Sequence, residues 1–307
     1  VKQKAVLLLA FFIVCLVPGF GQERPFYFVM IADTQLGMHA SDRNFEQETA
    51  SYEFAVATIN RLKPEFVIVL GDLVNKEEDK DQIREFLRIS GEIDPIIPFY
   101  YVAGNHDVGN VPTPESVAAY RKTFGRDYYS FREGPIYGIV LNSSLMVAPQ
   151  KVKAEYDAQL SWLKKELETA KNSGAQHIIV FQHHPYFLED AKEADSYGNV
   201  PRERRQAVLE LLHEYGVHYV FAGHVHTHSI GKDGDLDMVA VGPVAMSFDE
   251  HGSGMMSAAV TAEGVQYRYY GFNRLPNVLT TKGPRKNNFT LLKGIWSSSS
   301  LGEGCAV

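Results

Sequence analysis

VHYVFAGHVH (residues 217–226) is a nearly continuous apolar run that ends on two histidines. A strand with one wet face alternates apolar and polar residues. An unbroken run of this length instead reads as a strand covered on both sides, as in a parallel sheet flanked by helices. Four other stretches have the same form: FYFVMIAD (26–33), FVIVLGD (66–72), PFYYVAGNHD (98–107) and HIIVFQHHP (177–185). Each closes on Asp, Asn or His at or next to its last residue. One such ending is an ordinary turn or surface residue. Five together describe a polar site gathered beyond the carboxyl ends of the strands, where open α/β sheets collect ligands. In the first stretch, Asp33 and Gln35 are two residues apart, so on an extended chain they would reach out on the same side.

Helical spacing fills the gaps, over 44–62, 79–90, 113–124, 155–174 and 201–216. The last of these starts on Pro and ends on Gly, and 155–174 also closes on Gly. Strand and helix in alternation predict right-handed βαβ crossovers. Residues 128–142 read as a hairpin around Gly134–Pro135, and 236–272 as consecutive antiparallel strands without helices. The expected fold class is α/β, with two packed mixed β-sheets flanked by helices and no linker dividing the body.

The 307 residues are 45% hydrophobic, ordinary for a globular chain with a sizeable core. A net charge of -7 and the lack of an aromatic-interleaved basic run argue against nucleic acid as a partner. Lys2 and Lys4 ahead of an apolar run from Ala5 to Val17, with small residues at Gly19 and Gly21, read as a signal peptide over 1–21. The run is short for a bilayer span, so no stable membrane span is expected once it is removed, and the expected location is secreted or periplasmic. Cys15 and Cys305 are the two cysteines, which leaves the body without a disulfide, a reactive thiolate or a Cys-rich zinc site. The catalytic domain is expected over 22–275, with a disordered tail over 276–307.

The GD at 71–72, GNHD at 104–107, His183 and GHVH at 223–226 follow one another as in the calcineurin-like metallophosphoesterase superfamily, which the chain resembles over roughly residues 25–272. IADTQLG, GDLVN, AGNHDVGNVPTPESV and FQHHPYFLE are similar to one branch of it, that of calcineurin-like phosphoesterase domain-containing protein 1. This branch carries Gln where most relatives have His after the first Asp. The resemblance implies a four-layer sandwich and two divalent ions, drawn from Mn, Fe, Zn and Co, which suit a mixed oxygen and nitrogen ligand set. It assigns Asp33, Gln35, Asp72 and His226 to the first ion, and Asp72, Asn105, His183 and His224 to the second, with Asp72 shared. It makes His106 the acid that protonates the leaving alkoxide. Asn75 stands where many relatives have an Asp that orients this histidine, and its amide can hydrogen-bond the ring. Asp107 either shares that role or caps the turn.

His183 matches the family position better than its neighbour His184. His184, His39 and His228 either line the pocket or face solvent. The polar stretch 188–205 is long enough to be functional or mobile. Its Arg202, Arg204 and Arg205 either greet a phosphorylated substrate or lie on the exposed face of the following helix. The implied function is a secreted, dinuclear metal-dependent phosphatase that hydrolyses phosphomonoesters by attack of metal-bound hydroxide, similar to protein Ser/Thr phosphatases. Its substrates would be phosphoproteins or phosphorylated small molecules. The alternatives are a phosphodiesterase for nucleotides or other small diesters and, in a different class, an inactive phosphoester-binding protein. The intact ligand set argues against the last.

Overall fold

The computed structural model describes residues 25–261 and 263–279, so the expected signal peptide and the expected tail beyond residue 279 lie outside the described residues. Two mixed sheets form the centre. The first contains β1 (Phe26–Ile31), β2 (Phe66–Val69), β3 (Phe99–Tyr101), β10 (Gly254–Thr261) and β11 (Gly264–Gly271), in the order β11-β10-β1-β2-β3. The second contains β4 (Tyr129–Glu133), β5 (Ile136–Val140), β6 (His177–Phe181), β7 (Tyr219–Ala222), β8 (Ser229–Asp233) and β9 (Leu236–Ala240), in the order β4-β5-β6-β7-β9-β8. β1, β2 and β3 run parallel, as do β5, β6, β7 and β9.

The continuous apolar runs are explained by which neighbour each residue meets. In β1, Phe28 and Met30 face the second sheet, while Val29 and Ile31 pack under α1 (Glu46–Leu62) and α2 (Lys80–Ser90) with Tyr52, Ile59, Phe86 and Ile89. In β6, Ile179 and Phe181 turn towards the first sheet. Ile178 and Val180 meet Leu163 and Leu167 of α6 (Lys153–Asn172) and Leu212 of α7 (Arg202–Glu214). Both parities are therefore buried and the layers are helix, sheet, sheet, helix. Phe28 stacks on Phe66 with centroids 4.8 Å apart and meets Phe181 and Phe221 of the facing sheet edge-on. Each such ring stabilises the fold by roughly 1.5–3 kcal/mol through burial alone.

The smaller helices are α3 (Asn105–Val108), α4 (Pro114–Phe124) and α5 (Ser144–Val147). No helix among the described residues is long and apolar enough to cross a membrane. Past the expected domain end, Arg61 donates to the carbonyls of Pro276 and Asn277, and Leu279 packs on the outer core.

One stretch departs from the sequence reading. Residues 236–272 do not form one antiparallel run: β10 and β11 make a hairpin in the first sheet, whereas β9 lies in the second, parallel to β7. β9 is also paired antiparallel with β8, an edge strand absent from the prediction. The sequence of β8, SIGKD, has one large apolar residue, Ile230, and that side chain faces solvent. An edge strand with little to bury leaves no hydrophobic pattern to read.

Candidate metal centre

The polar endings of β1, β2, β6 and β7 are drawn together by sharp backbone turns. Nine described non-glycine residues have positive φ, and five of them are predicted ligands: Asp33 (50°), Gln35 (33°), Asp72 (50°), His224 (74°) and His226 (56°). Such conformations cost on the order of 1–3 kcal/mol each and concentrate where function fixes the backbone. The segments that follow β1 and β2 stay side by side through these turns, the Asp33 and Gln35 amides donating to the Gly71 and Asp72 carbonyls. Two glycines make room: a Cβ on Gly71 would lie 2.5 Å from the His183 ring, and one on Gly104 would lie 2.1 Å from Asp72 Oδ1.

His183, Asp72 and Asn105 form one half of the site. His183 Nδ1 donates to the Leu70 carbonyl at 2.8 Å, which ties a loop of the second sheet to a strand end of the first. Its Nε2 then faces Asp72 Oδ2 at 3.1 Å and Asn105 Oδ1 at 3.0 Å. The Asn105 amide group donates to Asn110 Oδ1 and to the Tyr197 hydroxyl, so its oxygen is the atom turned to His183. A neutral imidazole with its proton on Nδ1 would aim a lone pair at two oxygens, so a cation belongs among the three: a proton or a metal ion. Without metal the proton takes that place. Burial alone would lower the His183 pKa, but the Asp72 charge outweighs it and sets the value at about 9. Burial would raise Asp72, and the adjacent His183 instead holds it below the usual carboxylate range.

Asp33, Gln35 and His226 form the other half. His226 Nδ1 donates to the Met246 carbonyl at 2.6 Å, which leaves Nε2 facing Asp33 Oδ1 at 3.6 Å. Asp33 accepts from the His224 amide, and burial, partly offset by His226, raises its pKa to about 6. Gln35 Nε2 donates to Asn75 Oδ1 at 3.1 Å, whereas its buried Oε1 has no hydrogen-bond partner. A buried amide oxygen without a donor is costly unless something positive binds it. This orphan oxygen, together with the two imidazole nitrogens facing carboxylates, fits divalent metal. Asp33, Asp72 and His183 have ligand atoms within 4.8 Å of one another, as do His183, His184 and His224. His224 uses Nε2 on the Tyr197 carbonyl at 2.8 Å, so Nδ1 remains for a ligand, and burial lowers its pKa to about 4.

His106 sits beside this centre. Its amide donates to Asp72 Oδ1 at 2.9 Å, and Nδ1 donates to the Asn75 carbonyl at 2.6 Å. Asn75 therefore orients the histidine, but through its backbone; its side chain is engaged with Gln35 and Asp42. Asp107 does not touch the ring. Its carboxylate accepts from the amides of Leu73, Val74 and Gly104 and so staples the GD loop to the GNHD loop.

His184 is buried, and its environment fixes its tautomer. Ser143 Oγ accepts from the amides of His183 and His184, so its own proton points to His184 Nδ1 at 2.9 Å. The imidazole proton is then on Nε2, and burial first, then His224, keep the ring neutral. His39 is exposed, and His228 donates to the Ala240 carbonyl while stacking on Tyr269.

Within segment 188–205, residues 188–201 form a braced loop and Arg202–Arg205 open α7. Arg205, which sequence reading placed either at the substrate or on an exposed helix face, is fully buried. Its guanidinium donates to the carbonyls of Ala191, Glu193 and Val200. The Glu193 carboxylate accepts from the amides of Leu188 and Glu189 and from Asn199. This scaffold presents Tyr197, a site residue that sequence reading missed. A tyrosine in a polar loop carries no motif, and its contacts arise from the loop's fold alone.

The profile of the calcineurin-like phosphoesterase family matches residues 26–228, and the chain belongs to that family. Within it the chain falls in the branch of the serine/threonine-protein phosphatase CPPED1. The mouse protein of that name is 37% identical over 266 residues, spanning 82% of this chain and 85% of the relative. The zebrafish one is 33% identical over 269 residues, spanning 82% and 86%. In fold, the chain is similar to a dimetal phosphatase from Danio rerio, with a TM-score of 0.60 at 18% identity over 81% of this chain and 97% of the other. The protein is a metal-dependent phosphoric ester hydrolase.

Proposed function

We propose that the protein is a dinuclear metal-dependent phosphomonoesterase of the protein Ser/Thr phosphatase kind. One observation carries the proposal: on either side of Asp72, an imidazole fixed by a backbone carbonyl turns its free nitrogen to a carboxylate. The first ion would be held by Asp33, Gln35, Asp72 and His226, and the second by Asp72, Asn105, His183 and His224. The donor set suits Mn, Fe, Zn or Co. When bound, such ions neutralise phosphoryl oxygens and activate water. The chain's own residues do the rest. The Leu70 and Met246 carbonyls hold His183 and His226 in the tautomer whose Nε2 is free. Asn75 holds His106 with Nε2 free to hand a proton to the departing alkoxide. Export is part of this proposal, on the strength of the pattern in residues 1–21, and an exported product beginning at Gln22 is its check.

The test is metal analysis of the purified protein followed by turnover of an alkyl phosphate, nitrophenyl phosphate and its bis-ester. Two ions per chain and preference for the monoesters are expected; preference for the bis-ester would shift the assignment to a phosphodiesterase. His106→Ala should retain both ions and slow turnover by about 10²–10⁴-fold, most for alkyl leaving groups, which need the proton. Equal loss on alkyl and nitrophenyl esters would remove His106 from that role.

A further inference from the structure

Among the described Phe, Tyr and Trp residues, two are exposed, Tyr197 at 69% and Phe248 at 62%, and both lie against histidines of the metal centre. The Tyr197 ring is 4.8 Å from the His224 ring. Phe248 stacks on His226 at 4.9 Å with planes 17° apart. The other described aromatics are buried at least in part, and these two faces are left in water beside one site. A single exposed apolar side chain is ordinary; what sets these two apart is that both rings are placed on histidines of one site.

Neither ring is left to chance. Phe248 is pinned by its amide, which donates to the His226 carbonyl at 2.9 Å. Tyr197 is held by its carbonyl on His224, by its hydroxyl near Asn105 and Asn110, and by the Arg205 and Glu193 bracing of its loop. Two flat faces are thus fixed beside the two histidines of a single turn. An edge or face of a third ring fits such surfaces, whereas a flexible alkyl chain gains less from them.

We propose that Tyr197 and Phe248 form an aromatic rim that selects phosphoesters carrying an aromatic ring next to the phosphate. The inference rests on the phosphomonoesterase reading and extends its substrate class to aryl esters. A small aryl phosphate and a phosphotyrosine side chain share the required chemistry. Aryl leaving groups also depart without a proton, so they make less demand on His106.

The test is calorimetric titration of the metal-loaded full chain with benzylphosphonate and with ethylphosphonate, neither of which turns over. Wild type should bind the benzyl compound about five- to tenfold more tightly. Tyr197→Ala and Phe248→Ala should each cut that ratio by about threefold, whereas Tyr197→Phe, which keeps the ring, should preserve it. Phe248→Leu keeps apolar bulk without a flat face and should lose the ratio as Phe248→Ala does, which covers the case that alanine unsettles the loop. Equal binding of the two phosphonates by wild type, or a ratio unchanged in both alanine variants, overturns the rim. Binding of neither compound overturns the phosphoester site itself, and the rim with it. A phosphotyrosine peptide and phenyl phosphate, compared as substrates, then separate the two sources of the ring.

Discussion

The two halves of the metal centre differ in how far they are satisfied by protein alone. On the His183 side, imidazole, carboxylate and amide oxygen already meet within hydrogen-bond distance, and a proton on His183 balances Asp72. On the Gln35 side, Asp33 and His226 stand 3.6 Å apart, the Gln35 oxygen has no donor, and burial pushes Asp33 up to about 6. The second position is therefore preformed and charge-balanced, and an ion entering it must displace a proton. The first is preformed too, with His226 held by the Met246 carbonyl and Gln35 by Asn75, but its orphan oxygen has no protein donor and is left for a cation. The same fold has built one site that competes with protons and one that lacks any substitute for metal.

Asp72 is the place where that contrast breaks down, because it is assigned to both halves. Asp72→Ala should empty both positions and lower turnover by more than about a thousandfold, beyond the loss from a single transition-state donor. Metal analysis is the readout. A variant that kept two ions would show that the halves are independent and that no carboxylate joins them.

The proton held by the second half makes the contrast visible without substrate. In the metal-free protein, His183 releases its proton at about 9 when folded, against 6.5 as an ordinary histidine. Asp107, pushed up by burial and then by the Asp72 charge, releases at about 8 against 3.8. Between those values the folded state holds more protons than the unfolded one, so stability falls as pH rises. Below 6.5, His224 opposes this, since its folded value of about 4 makes stability rise with pH from there to 6.5. Above 6.5 that opposition ends. The metal-free protein should lose stability between pH 6.5 and 9, read as a falling melting temperature. The loaded protein should show a flatter profile, because an ion has already taken the place of the His183 proton. A metal-free protein that became more stable over this range would contradict the proton on His183.

What the sequence revealed divides along similar lines. The strands buried on both faces were legible because each residue, whatever its parity, meets apolar neighbours. The place of the site was marked by the polar residues that close those runs, and the ligand set by the resemblance of GD, GNHD and GHVH to the family's motifs. All seven predicted ligands lie buried around the convergence of those ends. The rest depended on contacts between distant segments. β8 has nothing to bury, so no pattern marks it. Arg205 looks like any cation on a helix until the loop wraps its guanidinium. Asn75 reads as a side chain in place of a carboxylate, yet it acts through a carbonyl that any residue could supply. Tyr197 reaches the site through a loop whose shape is set by Glu193 and Asn199, and neither belongs to a motif.

The smallest and sharpest effect lies at Gln35. Its Nε2 is fixed by Asn75, so its orphan Oε1 is held as a neutral oxygen ligand, harder and weaker than imidazole nitrogen. Gln35→His should tighten the first position, and more for Zn than for Mn, because nitrogen donors favour the later metal. Gln35→Ala should weaken that position by about ten- to a hundredfold, comparable to losing a supporting residue at other metal sites. The second position should keep its affinity in both variants, since no hydrogen bond joins the Gln35 side chain to His183 or Asn105 among the described residues. Calorimetric titration of the three metal-free proteins with Mn and with Zn measures each step. If first-position affinity were the same in all three, Asp33 and His226 would hold that ion unaided, and the unpartnered oxygen would need some other donor, such as a metal-bound water. If instead Gln35→His tightened both positions together, the two halves would be coupled through Asp72, and their difference would be one of occupancy order and not of construction.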